Sequence, residues 1–273
     1  MTDLLTIARL EFTSVARLKW VRLLAAAFAL LFGAAAFAAG AGERSGADGF
    51  ARTTMTLIPV VLILVPLAAI VLGVSGQASE PGGEPFLFAQ PVSRAAILVG
   101  RWLGELAAIG GAIVIGFSIG AWTIATSAGW AGLAPFAFFV VMAILLAAIF
   151  LSLASAIGAV AGSRASALGI AIFAWFFFVL LYDGIALSLA GQLAGATGGR
   201  VLFGSVFGNP ADLIRVLMLL GAGTPNVLGA TGEAWTRFLG GDAFAAAIAI
   251  LALSLWTVTP LGIAAWRLRE RDL

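Results

Sequence analysis

A chain of 273 residues that is 62% hydrophobic and only 10% charged has too little polar surface to wrap an apolar core in water. It contains no cysteine and no histidine, which excludes disulfides, thiolate or imidazole metal ligands and histidine bases, and with them rhomboid-type serine proteases and zinc metalloproteases. The net charge of +2 arises from basic residues scattered at the ends of apolar runs, a pattern of membrane orientation and not of nucleic-acid binding.

Six apolar runs each reach the roughly 20 residues that a helix needs to cross a hydrocarbon core of about 30 Å. The sequence therefore predicts an all-α, multi-pass membrane protein built as one transmembrane domain. Between Asp3 and Lys19, the residues Leu4, Ile7, Ala8, Phe12, Val15 and Leu18 recur at three- and four-residue spacing opposite Thr6, Arg9, Thr13 and Arg17. This is the pattern of an amphipathic interfacial helix, with Glu11 and Lys19 interrupting its apolar side. The first span follows from Val21 to Gly40 and reads as a retained span, not a cleaved signal. A polar loop, Glu43 to Thr54, leads to the second span, Met55 to Ser75. Its Pro59 and Pro66 predict a kink, or carbonyls that neighbouring helices must satisfy. After the polar stretch Gln77 to Arg94, the third and fourth runs, Ala95 to Thr126 and Leu133 to Ala161, exceed the bilayer thickness. They are expected to tilt, break or project into water, with Gly110-Gly111 the weak point of the third. The break at Gly162 to Ser166 is short, and the fifth span covers Ala167 to Leu189. A glycine-rich outer loop, residues 190–242, precedes the sixth span, Phe244 to Trp266.

With both termini in the cytoplasm, the inner segments carry Arg9, Arg17, Lys19, Arg22, Arg94, Arg101, Arg164, Arg267, Arg269 and Arg271, ten cations against the five of Arg44, Arg52, Arg200, Arg215 and Arg237 outside. The positive-inside rule selects this orientation. No phosphate-binding G-x-x-x-x-G-K-[ST] loop is present and the single lysine is Lys19, so ATP hydrolysis by that loop needs another chain. The four methionines, Met1, Met55, Met142 and Met218, do not cluster in the sequence, so no copper site is expected here.

Few ionisable residues fall inside the spans, where a charge costs about 2.5–3.5 kcal/mol on insertion scales. Arg101 and Glu105 lie four residues apart on one face of the third span, a spacing that allows pairing and interfacial anchoring, with gating as the second use. Tyr182 and Asp183 fall at the outer end of the fifth span. Gly100 with Gly104, Gly116 with Gly120 and Gly158 with Gly162 are small-residue pairs that permit close helix approach.

The inner stretch Glu80-Pro81-Gly82-Gly83-Glu84-Pro85-Phe86-Leu87-Phe88-Ala89-Gln90-Pro91-Val92-Ser93-Arg94 reads as a short helix across the cytoplasmic mouth, its apolar side offered to a partner and Arg94 anchoring the next span. With the amphipathic start, six spans and the basic tail Arg267 to Leu273, the whole chain resembles the ABC-2 type permease family. Gly82-Gly83 and extra prolines stand where that family usually has Gly-Thr. The resemblance implies a separate cytoplasmic ATPase in two copies, binding the ATP and Mg that this chain does not. It also implies a second copy of the permease around a central path, and a bacterial inner-membrane location. It assigns coupling to Glu80, Glu84, Phe86, Leu87 and Arg94.

Farther along, Asn209 is a suitable helix cap, Pro210 a suitable first residue, and Asp212 suits the positive amino end. Leu213, Val216, Leu217 and Leu220 then form an apolar stripe that Gly221 ends. The element reads as an amphipathic outer helix, 210–220, either docking a partner or resting on the membrane surface. Together with Leu180-Leu181-Tyr182-Asp183, this segment is similar to the Nos permeases of nitrous oxide reductase maturation. That resemblance implies a periplasmic β-helical partner contacted by Asp183, Asn209, Pro210, Asp212 and Arg215, and a role in copper-site maturation by export or by mechanical relay. A generic exporter of lipids, drugs or peptides shares the architecture. A secondary transporter calls for buried ionisable residues for ion coupling or inverted repeats, which are not evident in the sequence, and a membrane scaffold needs neither.

Overall fold

The structure, a computed structural model, describes residues 2–40, 46–77, 93–193, 196–221 and 242–270, and among these there is no strand. The helices are α1 (Thr2–Ala16), α2 (Lys19–Gly40), α3 (Gly46–Gln77), α4 (Arg94–Ala128), α5 (Leu133–Val160) and α6 (Arg164–Phe176). A π-helical turn, Phe177–Leu181, joins α6 to α7 (Tyr182–Gly191); then come α8 (Ala196–Ser205), a 3₁₀ turn at Val206–Gly208, α9 (Pro210–Gly221) and α10 (Asp242–Glu270).

Five stretches are long and apolar enough to cross a membrane: Thr53–Gly76, Arg94–Thr123, Leu133–Val160, Arg164–Gly191 and Ala247–Glu270. Two bent pairs, Leu4–Ala16 with Val21–Ala35 and Thr197–Gly208 with Pro210–Gly221, meet that standard only when each is taken as one span, which gives five to seven in all. The predicted first span lies on α2, in the first of these pairs.

The central element is α5. It is apolar on every face, so no stripe of it is fit for water, and the run Leu146 to Ser152 is buried throughout. The hydroxyls of Ser152 and Ser155 donate to the carbonyls of Ala148 (2.8 Å) and Leu151 (3.0 Å) one turn back, so neither leaves a polar atom unmet in the core. Packed about α5 are α3, α4, α9 and α10, with α6 seated mainly on α3. Rings from four helices close one end of the core: Phe28 meets Phe117 edge-on at 5.3 Å, Phe117 stacks on Phe139 at 5.5 Å, and Phe50 lies 5.5 Å from Phe136. Such contacts add about 0.5–1.5 kcal/mol each beyond burial.

Two expectations are corrected. Although Gly110-Gly111 was the predicted weak point, α4 runs unbroken for 35 residues; a side chain on Gly110 would only touch Ile144 and one on Gly111 would meet nothing, so no close contact at the pair bends the helix. The second helix begins at Gly46, inside the predicted polar loop, and buries Phe50, Thr53 and Thr54. The predicted interfacial helix corresponds to α1, which also has a partner within the chain. Val15 is buried and the helix packs along the start of α4, while Leu5 and Leu10 stay exposed.

Candidate functional site

Polar side chains gather at the two ends of the bundle. At one end, α1, the end of α3, the start of α4 and the end of α10 converge, and from here the chain leaves and returns through residues 78–92. The predicted coupling residues Glu80, Glu84, Phe86 and Leu87 lie in that stretch, outside the described residues. Its return is built firmly. The Ser93 hydroxyl accepts from the Ala96 amide at 3.3 Å, an N-cap for α4, and Arg94 donates from Nη1 to the Leu268 carbonyl at 2.9 Å, tying α4 to the carboxy-terminal helix.

Two turns on, Arg101 donates to the carbonyl of Gly76 at the end of α3, and its Nε lies 3.9 Å from Glu11 Oε2 on α1. Arg101 thus holds three helices together. Glu105, one turn further along α4, is 1% exposed, and neither of its carboxylate oxygens has a hydrogen-bond partner among the described residues. It lies flat on α3 because Gly76 has no side chain: a Cβ there would meet Glu105 Oε1 at 2.5 Å. Beside it, the Trp102 indole donates to the Ala148 carbonyl at 3.1 Å. The small pair Gly100 and Gly104 seats α1. A Cβ on Gly104 would stand 2.6 Å from both the Ala8 carbonyl oxygen and Glu11 Cβ, so close approach here serves packing within the chain.

At the opposite end, α8, the 3₁₀ turn and α9 fold back over the π-turn, with α9 turned by 101° from the helix before it. Asn209 is fully buried and serves three partners. Its Oδ1 accepts from the Ala211 amide (3.0 Å), capping α9, while Nδ2 donates to the Phe178 carbonyl (2.8 Å) and to Asp212 Oδ2 (2.8 Å). The Phe178 bond matters because an i→i+5 turn departs from the regular α-helical ladder. Arg215 closes the network: its Nη1 donates to Asp183 Oδ2 at 2.6 Å and stands 3.0 Å from Asp212 Oδ1 as an ion pair without hydrogen-bond geometry. The Tyr182 hydroxyl donates to the Ser205 carbonyl at 2.8 Å, in space that any side chain on Gly208 would take.

The five residues expected to meet a partner are therefore brought together, but they divide. Asn209, Pro210 and Asp212 are buried inside the chain and hold α9 in place, whereas Asp183 and Arg215 are partly exposed. Arg101 and Glu105 share a helix face as their spacing requires, yet Arg101 reaches across to α1 and α3. Sequence reasoning missed Glu11 as its counter-ion, although the signal was present: Glu11 interrupted an otherwise apolar face. It also missed the π-turn and the indole bonds between elements, that of Trp102 described above, Trp175 to the Ile63 carbonyl (3.1 Å) and Trp256 to the Phe207 carbonyl (3.0 Å). For these, periodicity carries no signal.

A helical bundle with several membrane-crossing helices, a helical segment folded back at one end and a three-helix polar junction at the other defines the class as a multi-pass membrane protein. Residues 5–273 match the model of the ABC-2 family transporter proteins, and the chain belongs to that family as a permease subunit. It is 32% identical over 276 residues, covering 98% of both chains, to a protein of Pseudomonas aeruginosa described as a probable ABC transporter permease protein NosY. A protein of Stutzerimonas stutzeri with the same description is 29% identical over 228 residues, covering 81% of this chain and 83% of its own.

Proposed function

We propose that this chain is the permease of a NosY-type ABC transporter in the bacterial inner membrane, with both termini cytoplasmic. It couples ATP hydrolysis by two copies of a separate cytoplasmic subunit to export, or to a mechanical relay toward a periplasmic β-helical partner, in copper-site maturation of nitrous oxide reductase. The observation that carries the reading is the junction at residues 76–105. The stretch that holds Glu80, Glu84, Phe86 and Leu87 leaves directly from α3, which Arg101 binds, and returns at Ser93 and Arg94. A pull on that stretch would therefore reach three helices at once. An unbroken α4 of 35 residues is about 52 Å long at 1.5 Å per residue, enough to carry such a displacement to the other side of a bilayer. Closure of the ATPase pair supplies the differential binding energy. Two permease copies face each other around the path. At the opposite end, Asp183 and Arg215 are the exposed groups for the periplasmic partner.

The test is purification of the tagged protein from native membranes in mild detergent, with mass spectrometry of bound proteins and an ATPase assay. Recovery of an ATPase with a periplasmic β-helical protein supports the reading. An ATPase alone favours a generic exporter, and recovery of no bound ATPase and no periplasmic protein overturns the assignment of coupling.

A further inference from the structure

Glu105 is the one described carboxylate that is both almost wholly buried and without a hydrogen-bond partner on either oxygen. A carboxylate in such a position costs several kcal/mol when charged unless a cation meets it. Among the described residues, the groups that face it are few. On α4 the cation is Arg101, one turn before it; on α1 the charged neighbour is Glu11; on α3 it meets the glycines Gly73 and Gly76. At i,i+4 spacing on one helix, Arg101 reaches Glu105 by a change of side-chain rotamer alone. In this structure the guanidinium is directed instead to the Gly76 carbonyl and to Glu11.

We propose that Glu105 is a positioning residue for coupling: the alternative acceptor for Arg101, so that the guanidinium exchanges between two settings. In the first, seen here, Arg101 fastens the ends of α1 and α3 to α4. In the second it turns to Glu105 and lets go of the Gly76 carbonyl and Glu11, so that the ends of α1 and α3 rest on α4 by packing alone and can shift along it, while α4 stays tied to α10 through Arg94. The absence of side chains at Gly73 and Gly76 keeps the acid against α3, where the moving end of that helix is felt first. Two competing sets of acceptors for one cation, the Gly76 carbonyl with Glu11 and Glu105 alone, make a two-state element, which a displacement of the α3 end can bias. Its use in coupling rests on the function proposed above; the exchange itself does not.

Because the chain has no cysteine of its own, spin labels at Arg9→Cys on α1 and Arg269→Cys on α10, both exposed, report the distance between α1 and the α4–α10 unit. Pulsed dipolar spectroscopy is recorded on the permease alone and on its complex with the ATPase, with and without ATP. Glu105→Gln weakens one acceptor and should enrich the fastened distance; Glu11→Gln weakens the other and should enrich the released one. Each should change the population ratio by about fivefold or more, the equivalent of about 1 kcal/mol. The double variant should return toward the parent ratio. Shifts in the same direction, or no shift in either single variant, would overturn the exchange. If the permease alone behaves as expected but ATP moves neither population in the complex, the exchange stands and the coupling role falls.

Discussion

Gly104→Ala tests whether α1 belongs to the body of the bundle. The added methyl carbon would lie 2.6 Å from the Ala8 carbonyl oxygen and from Glu11 Cβ, and 2.9 Å from the Phe12 amide nitrogen. Carbon contacts settle near about 3.5–4.0 Å, and two of these three atoms are backbone, so α1 has to withdraw by about 1 Å. Overpacking of this kind costs about 1–3 kcal/mol. Replacing glycine inside a helix also returns about 0.8–1.0 kcal/mol, which masks part of the loss. Gly111→Ala on the same helix supplies the control, since its methyl meets nothing within 4 Å and gains the same helix propensity. The difference between the two variants is then the overpacking alone. At about 2–4 °C per kcal/mol for a chain of this size, thermal unfolding in detergent should place Gly104→Ala several degrees below Gly111→Ala. Glu11 moves with α1, so the Glu11–Arg101 contact should weaken as well. Equal melting temperatures for the two variants would refute the close seating of α1 on α4.

Asn209→Leu removes the cap of α9 and strands the Phe178 carbonyl, at about 1 kcal/mol for the cap and about 1–3 kcal/mol for the unmet polar group; limited proteolysis should detect earlier loss of the α9 segment. Asp183→Asn should cost less than about 1 kcal/mol, because its pairing with Arg215 is half-exposed, and the loss should shrink further in high salt when followed by thermal unfolding. Trp175→Phe keeps the ring and deletes the donor to the Ile63 carbonyl; at about 0.6 kcal/mol for a hydrogen bond between membrane helices, the melting temperature should fall by only a degree or two. Arg94→Gln loses the charge at the start of α4 that is tied to the Leu268 carbonyl, and should lower ATPase stimulation in the assembled complex while leaving the amount of bound ATPase unchanged.

The elements were legible where one physical signal dominated. The length of five of the six apolar runs located membrane-crossing helices, because bilayer thickness sets a minimum that the sequence must meet. Asn209 and Pro210 announced a helix start through local chemistry that needs no tertiary partner. Where two signals competed, tertiary packing decided. The glycines at 110 and 111 weaken a helix in isolation, yet the intact α4 contradicts that reading. The polar loop expected before Met55 is helical from Gly46 because Phe50 has an aromatic pocket to fill, which no local rule reveals. At the junction, the Arg101–Glu105 spacing was correct and its meaning incomplete, since the competing acceptors come from α1 and α3. Asn209 shows the same limit: its capping role is written in the sequence, whereas its bond to a carbonyl 31 residues earlier is not.

The π-turn at Phe177–Leu181 has a consequence for how relatives of this chain should vary in length. An i→i+5 turn accommodates one residue more than the α-ladder requires, while the helix on either side keeps its facing. Removing a single residue there would restore a regular helix and leave α6 and α7 presenting the same sides to their neighbours, but it would also withdraw the carbonyl that Asn209 now binds. Shortening by one residue in this turn and loss of the amide at position 209 should thus accompany each other among homologues, so that helix length here follows a side chain on another segment and not the thickness of the bilayer.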